Sequence, residues 1–111
     1  MTALSVHTTH HPAHSVLALD GELDTATAPL LEPAVKTVLS SGRRHLVVDT
    51  ADLDFCDSSG LWALLQAQRA VKAAGGTMEI THVHGPLRRV LDVTKLSRAF
   101  TINMAQENYT H

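Results

Sequence analysis

The run HLVVD, His45 to Asp49, limits the fold more than any other stretch of this chain. A short continuous apolar run between polar ends reads as a strand covered on both faces, the usual central strand of a parallel sheet. Segments of two different periods flank it. SVLALDGEL, Ser15 to Leu23, carries Val16 and Leu17 and then Leu19, Gly21 and Leu23 at period two, which predicts a strand leaving the sheet at Gly21. Leu4 to Thr9 reads as a shorter strand that pairs with it through HHPAH. Thr25 to Ser41 sets Leu31, Val35, Val38 and Leu39 at helical spacing, with Gly42 where a C-terminal cap belongs. Pro33 interrupts that pattern, so the regular helix either starts near Pro33 or kinks there.

Beyond the central run, Leu61, Leu64, Leu65 and Val71 trace one face of a second helix, with Ala63, Ala67, Ala70 and Ala74 beside it and Gly75-Gly76 to stop it. Thr77 to Val83 is the next expected strand, Pro86 to Val93 a short helix, and Ala99 to Ile102 a last strand or helix approach. The expected architecture is therefore a small single-domain α/β fold. Its sheet is mixed but mostly parallel, with about four to five strands and an edge hairpin at the N-terminal side. Residues 4–103 make the expected core and 104–111 a C-terminal tail.

Composition narrows the function. Nine basic against eleven acidic residues give a formal charge of -2, and no basic run exists, which argues against a nucleic-acid partner. No apolar run approaches the roughly 20 residues of a membrane span, and MTALSVHTTH lacks the basic start and apolar core of a leader. The single cysteine, Cys56, can form no intramolecular disulfide, so a reducing cytoplasm is the expected compartment. There Asn108-Tyr109-Thr110 has no meaning as a glycosylation acceptor.

The chemistry concentrates in DFCDSSGLWALL, Asp54 to Leu65. The preceding connector, DTADLDFCD, leaves the carboxyl end of the central strand, the edge where open α/β sheets build their sites. Asp57, Ser58 and Ser59 then fall at the N-terminus of the second helix. Any of the three makes a good N-cap, and a bare capping role accounts for one of them. One cap needs one side chain, so a hydroxyl is left for something else. A phosphate on Ser58 or Ser59 would meet free backbone N–H groups and the positive end of the helix dipole, and so would not unfold the helix. It would also add about -1.5 to -2 charges beside Asp54 and Asp57, enough to repel a partner closing over this surface.

With these residues in view, the sequence resembles the STAS-domain anti-sigma factor antagonists of bacteria, the SpoIIAA-like proteins. The resemblance runs from GELD, Gly21 to Asp24, and Thr27-Ala28-Pro29 through LVVDTADLDFCDSSGL, the Ala74-Gly75-Gly76 stop and RRVLDVTKLSRAFTI, Arg88 to Ile102. It implies a STAS fold and a partner-switching regulator of transcription in a stress response. The unphosphorylated protein binds an anti-sigma factor that is also a serine kinase and thereby frees a sigma factor. The kinase phosphorylates the first serine of the pair, here Ser58, and a metal-dependent serine phosphatase restores it. By position, Asp24 matches the acidic loop residue that helps to engage the kinase, Asp57 the carboxylate before the modified serine, and Ser59 and Gly60 the start of the helix. No cofactor, metal or membrane is implied, and a monomer or weak dimer is expected. Two features depart from the family pattern: Trp62, where relatives often carry a small residue, and Pro33.

Trp62 follows Ser58 by four residues and precedes Arg69 by seven, so the three share one flank of the second helix. Trp62 is either packed at the core boundary or an exposed anchor of a partner interface, with Arg69 beside it. His7, His10, His11 and His14 are close in sequence, but HTTHHPAH supplies no carboxylate or thiolate ligand and reads as a solvated hairpin turn. Cys56 reads as a small buried apolar residue. An enzyme would need Ser58 as nucleophile with His82 or His84 as base, and the surrounding sequence is not G-x-S-x-G. The fold also serves as a scaffold in stress-sensing assemblies and in lipid-transport complexes, a third possible role for this resemblance.

Overall fold

The computed structural model describes residues 3–103, and the expected tail at 104–111, with the Asn108-Tyr109-Thr110 tripeptide, lies outside them. Five strands form one sheet in chain order: β1 (Leu4–His10), β2 (Ser15–Leu23), β3 (His45–Cys56), β4 (Thr77–Thr81) and β5 (Thr101–Asn103). β1 and β2 pair antiparallel across the HHPAH turn, and the other neighbours run parallel. A helix bridges each parallel step: α1 (Leu31–Ser40), α2 (Ser58–Ala73) and α3 (Gly85–Thr94). Each crossover advances by one strand in the same direction, and right-handed connections then place all three helices on one face.

Leu17 and Leu19 of β2, Leu46 and Val48 of β3 and Ile80 of β4 point into that face and are buried. Above them sit Val35 and Val38 of α1, Leu61, Leu64 and Val71 of α2, and Leu87 and Leu91 of α3. Burying one such side chain contributes about 2 kcal/mol, which is what holds ten-residue helices too short to persist alone.

Four sequence expectations are corrected or decided here. His45–Asp49 is central, but only one of its faces is covered. Val47 and Asp49 are half-buried on the bare face, shielded by neighbouring strands rather than by a second layer of helices. The connector DTADLDFCD is strand as far as Cys56, because β2 also continues and offers a partner: Asp20 pairs with Asp52, Gly21 with Leu53 and Leu23 with Cys56. β2 does not leave the sheet at Gly21. It shifts register there at a φ of +117°, a left-handed value natural to glycine, and continues to Leu23. The alternatives at Pro33 resolve toward a helix start, since Pro33 is the third residue of α1, within the first turn, whose N–H groups have no intrahelical acceptor.

Candidate functional site

β2 and β3 both end at the edge where α2 begins, and the two polar turns that follow them meet there. In the first turn, Asp24 is only 8% exposed. Its Oδ1 accepts from the backbone N–H of Ala26 at 2.9 Å and of Thr27 at 3.1 Å, and from the Thr27 hydroxyl at 3.3 Å. Thr27 Oγ1 in turn accepts from the Asp24 N–H at 2.9 Å and donates to the Glu22 carbonyl at 2.7 Å. Asp24 therefore builds the turn, and its carboxylate oxygen is occupied within it.

In the second turn, Asp57 caps α2. Its φ and ψ of -104° and -170° are extended, and its Oδ1 accepts from the Gly60 N–H at 3.0 Å. The Asp57 N–H donates to the Leu23 carbonyl at 3.3 Å, which ties the start of the helix to the end of β2. Gly60 is buried, and a Cβ there would fall 2.4 Å from the Leu23 carbonyl oxygen, so only glycine lets the first turn sit this close. Ser59 is half-buried, with its hydroxyl 3.0 Å from that of Thr25 across the turn. Ser58 is exposed, and among the described residues nothing hydrogen-bonds to its side chain. Of the capping-type residues in the row, one caps, one is tied across the turn and one is free.

A groove of about 880 Å³ opens beside Ser58 between α1 and α2. Ala28, Pro29 and Val35 form one wall, and Ser58, Trp62, Ala63 and Arg69 line the other. The shared flank expected for Ser58, Trp62 and Arg69 is the wall of this groove. Trp62 is 53% exposed, which decides between the two sequence readings against the core boundary. The Arg69 guanidinium carbon stands 5.4 Å from the Trp62 ring centroid, within reach of a cation–π contact that steadies both side chains. On the other side of the helix start, Phe55, Pro86, Val90 and Val93 line a second groove of about 690 Å³. Phe55, Trp62 and Val93 are three of the four large exposed apolar side chains among the described residues.

A family model described as Mlab, STAS domain matches residues 6–104. The chain belongs to the STAS-domain family. This STAS domain is similar to the anti-sigma F factor antagonist of Paenibacillus polymyxa, at 29% identity over 100 residues that span 89% of this chain and 86% of that one. Among solved structures it resembles an anti-sigma factor antagonist from Mycobacterium paratuberculosis, with a TM-score of 0.80, 27% identity, and coverage of 96% and 90% of the two chains. The phosphorylated Bacillus cell fate determinant SpoIIAA shares the fold, with a TM-score of 0.66 at 21% identity over 97% of each chain.

Of the remaining sequence candidates of this STAS domain, Cys56 packs against Gly60 beneath the helix start and the histidines lie elsewhere. The Cys56 thiol is pushed up to about 12 by its burial and, secondarily, by the adjacent Asp57 charge, so it stays protonated at neutral pH. Its role is that of a small apolar core residue. His82 Nδ1 is 3.0 Å from Asp49 Oδ1, and His84 Nε2 donates toward the Thr50 and Ala51 carbonyls at 3.1 and 2.9 Å. Both rings are engaged at the middle of β3, and among the described residues neither hydrogen-bonds to Ser58. In the hairpin turn, His10 Nδ1 is 2.8 Å from Ser15 Oγ, and His11 and His14 stack at 4.9 Å. Those imidazoles serve the turn itself. Thr25 was not apparent as a site residue, because a contact between positions 34 apart leaves no mark on local spacing.

Proposed function

We propose that this STAS domain is an anti-sigma factor antagonist controlled by phosphorylation of Ser58. Unphosphorylated, it binds an anti-sigma factor that is a serine kinase and so releases a sigma factor; phosphate on Ser58 ends that binding, and a serine phosphatase renews it. It acts in the cytoplasm as a monomer or weak dimer, as a regulator rather than a catalyst. The relatives named antagonists of anti-sigma factors support this reading. The observation that carries it is the free, exposed Ser58 hydroxyl at the α2 N-terminus, set between two apolar grooves.

The chemistry follows from that placement. A phosphate on Ser58 sits over the unpaired N–H groups of the first turn and the positive end of the helix dipole, so the fold tolerates it. At the interface the same group brings about two negative charges against a surface that must be desolvated to bind. A loss of about 2.7 kcal/mol lowers affinity a hundredfold, which suffices for a switch. The exposed indole of Trp62, braced by Arg69, is the anchor on the groove side. Ser59 and Gly60 hold the helix start in place, Asp57 caps it, and Asp24 shapes the turn against which it rests.

Intact-mass analysis after incubation with ATP and each anti-sigma factor kinase of the same cell tests the proposal, with Ser58→Ala as control. One added phosphate, absent from the control, is the expected result. Tight binding to a non-kinase protein with no phosphate added would instead support a scaffold role. Trp62→Ala is expected to weaken kinase binding by about 2 kcal/mol, roughly thirtyfold, with the melting temperature unchanged.

A further inference from the structure

Two adjacent hydroxyls stand at the start of α2, and their surroundings differ. Successive side chains on a helix diverge by about 100° around its axis, so Ser58 and Ser59 cannot face the same way. Two contacts set the phase of the first turn. The Asp57 cap fixes where the helix begins, and Gly60, with the Leu23 carbonyl oxygen where a Cβ would stand, seats the turn against the end of β2. In that phase Ser58 is exposed and, among the described residues, without a partner, whereas Ser59, which lines the same groove, turns its hydroxyl to the turn after β2, where Thr25 Oγ1 lies 3.0 Å from its Oγ.

The geometry points to Thr25 as the positioning residue that makes Ser58 the preferred phosphate acceptor. The inference rests on the phospho-switch reading above and adds to it the residue that selects between two chemically equal serines. Transfer joins a serine Oγ to the γ-phosphorus of ATP, breaks the bond from that phosphorus to the bridging oxygen of the departing ADP, and releases the hydroxyl proton. The Oγ must therefore come into line with the incoming phosphorus. Ser58 does so without giving up a partner. Ser59 must first leave Thr25 and swing out of a half-buried position. Thr25 is itself exposed at the mouth of the groove beside Ser58, so its replacement frees Ser59 without opening the core.

The test is tandem mass spectrometry of the wild type, Thr25→Val and Thr25→Ser after incubation with ATP and a purified anti-sigma factor serine kinase of the same cell. Wild type and Thr25→Ser, which keeps the hydroxyl, are expected to carry phosphate predominantly on Ser58, with only a minor share on Ser59. In Thr25→Val the share on Ser59 is expected to rise on the order of tenfold, the factor one net hydrogen bond supplies. The same minor share on Ser59 in all three proteins would overturn the selection by Thr25 and leave the phospho-switch standing. No phosphate on the wild type with any such kinase, or phosphate first on Ser59, would overturn both. A far-ultraviolet circular dichroism melt of Thr25→Val alongside the wild type separates a folding defect from a change of site. If Thr25→Val does not fold, Thr25→Ala gives the same readout.

Discussion

The two polar turns at the carboxyl edge of the sheet use nearly the same residues to opposite ends. Asp24 to Thr27 closes on itself: a single carboxylate oxygen and a single hydroxyl satisfy three backbone amides, one another and the Glu22 carbonyl. Asp57 to Gly60 uses one carboxylate for its cap and one hydroxyl for a cross-turn contact, and leaves Ser58 unengaged. A turn that uses its whole hydrogen-bonding capacity internally is scaffold. One that holds a polar group in surplus at an exposed, apolar-flanked helix start is available for chemistry. Residue type sets the capacity, and the neighbours decide whether it is used.

Substitutions at the two turns test that contrast by their effect on stability, read as shifts in urea unfolding midpoints. Gly60→Ala is expected to have the largest effect, a loss of about 3 kcal/mol, because its methyl would meet the Leu23 carbonyl oxygen and force β2 and α2 apart. Asp24→Ala comes next at about 2 kcal/mol, since it leaves the amide of buried Thr27, and that of Ala26 beside it, without an acceptor in the closed turn. If it costs no more than a surface substitution, the first turn is not the scaffold claimed for it. Asp57→Ala removes one cap and is expected to cost about 1 kcal/mol. Ser58→Ala is expected to stay within about 0.5 kcal/mol of wild type, and a larger loss would show that the hydroxyl holds structure after all.

Much of the scaffold could be read from the chain because its determinants are local. The period of Leu31, Val35 and Val38, the run at His45–Asp49 and the Gly75-Gly76 stop each report on a few adjacent residues, and the observed elements follow them. The far half of β3 was missed because Asp52 and Asp54 look like turn residues. Only the partner strand, extended past the register shift at Gly21, turns that segment into strand. The candidate site shows the same division. Asp57, Ser58, Ser59 and Gly60 were legible as a helix start with a residue in surplus. Asp24 stood out only through the family resemblance, as an acidic loop residue facing a partner, and its burial, and hence its work inside the turn, depends on how the chain folds back over it.

The sequence by itself determined the α/β order, the central strand and the presence of more capping groups than α2 needs, since these rest on spacing and on the hydrogen-bonding capacity of each side chain. Tertiary structure decided which of those groups stays free. Thr25 and Ser59 are 34 residues apart and meet only when the ends of β2 and β3 come side by side. The same closure places Trp62 on the wall of a groove between α1 and α2, because whether a side chain on the flank of a helix is covered depends on how far off the neighbouring helix packs.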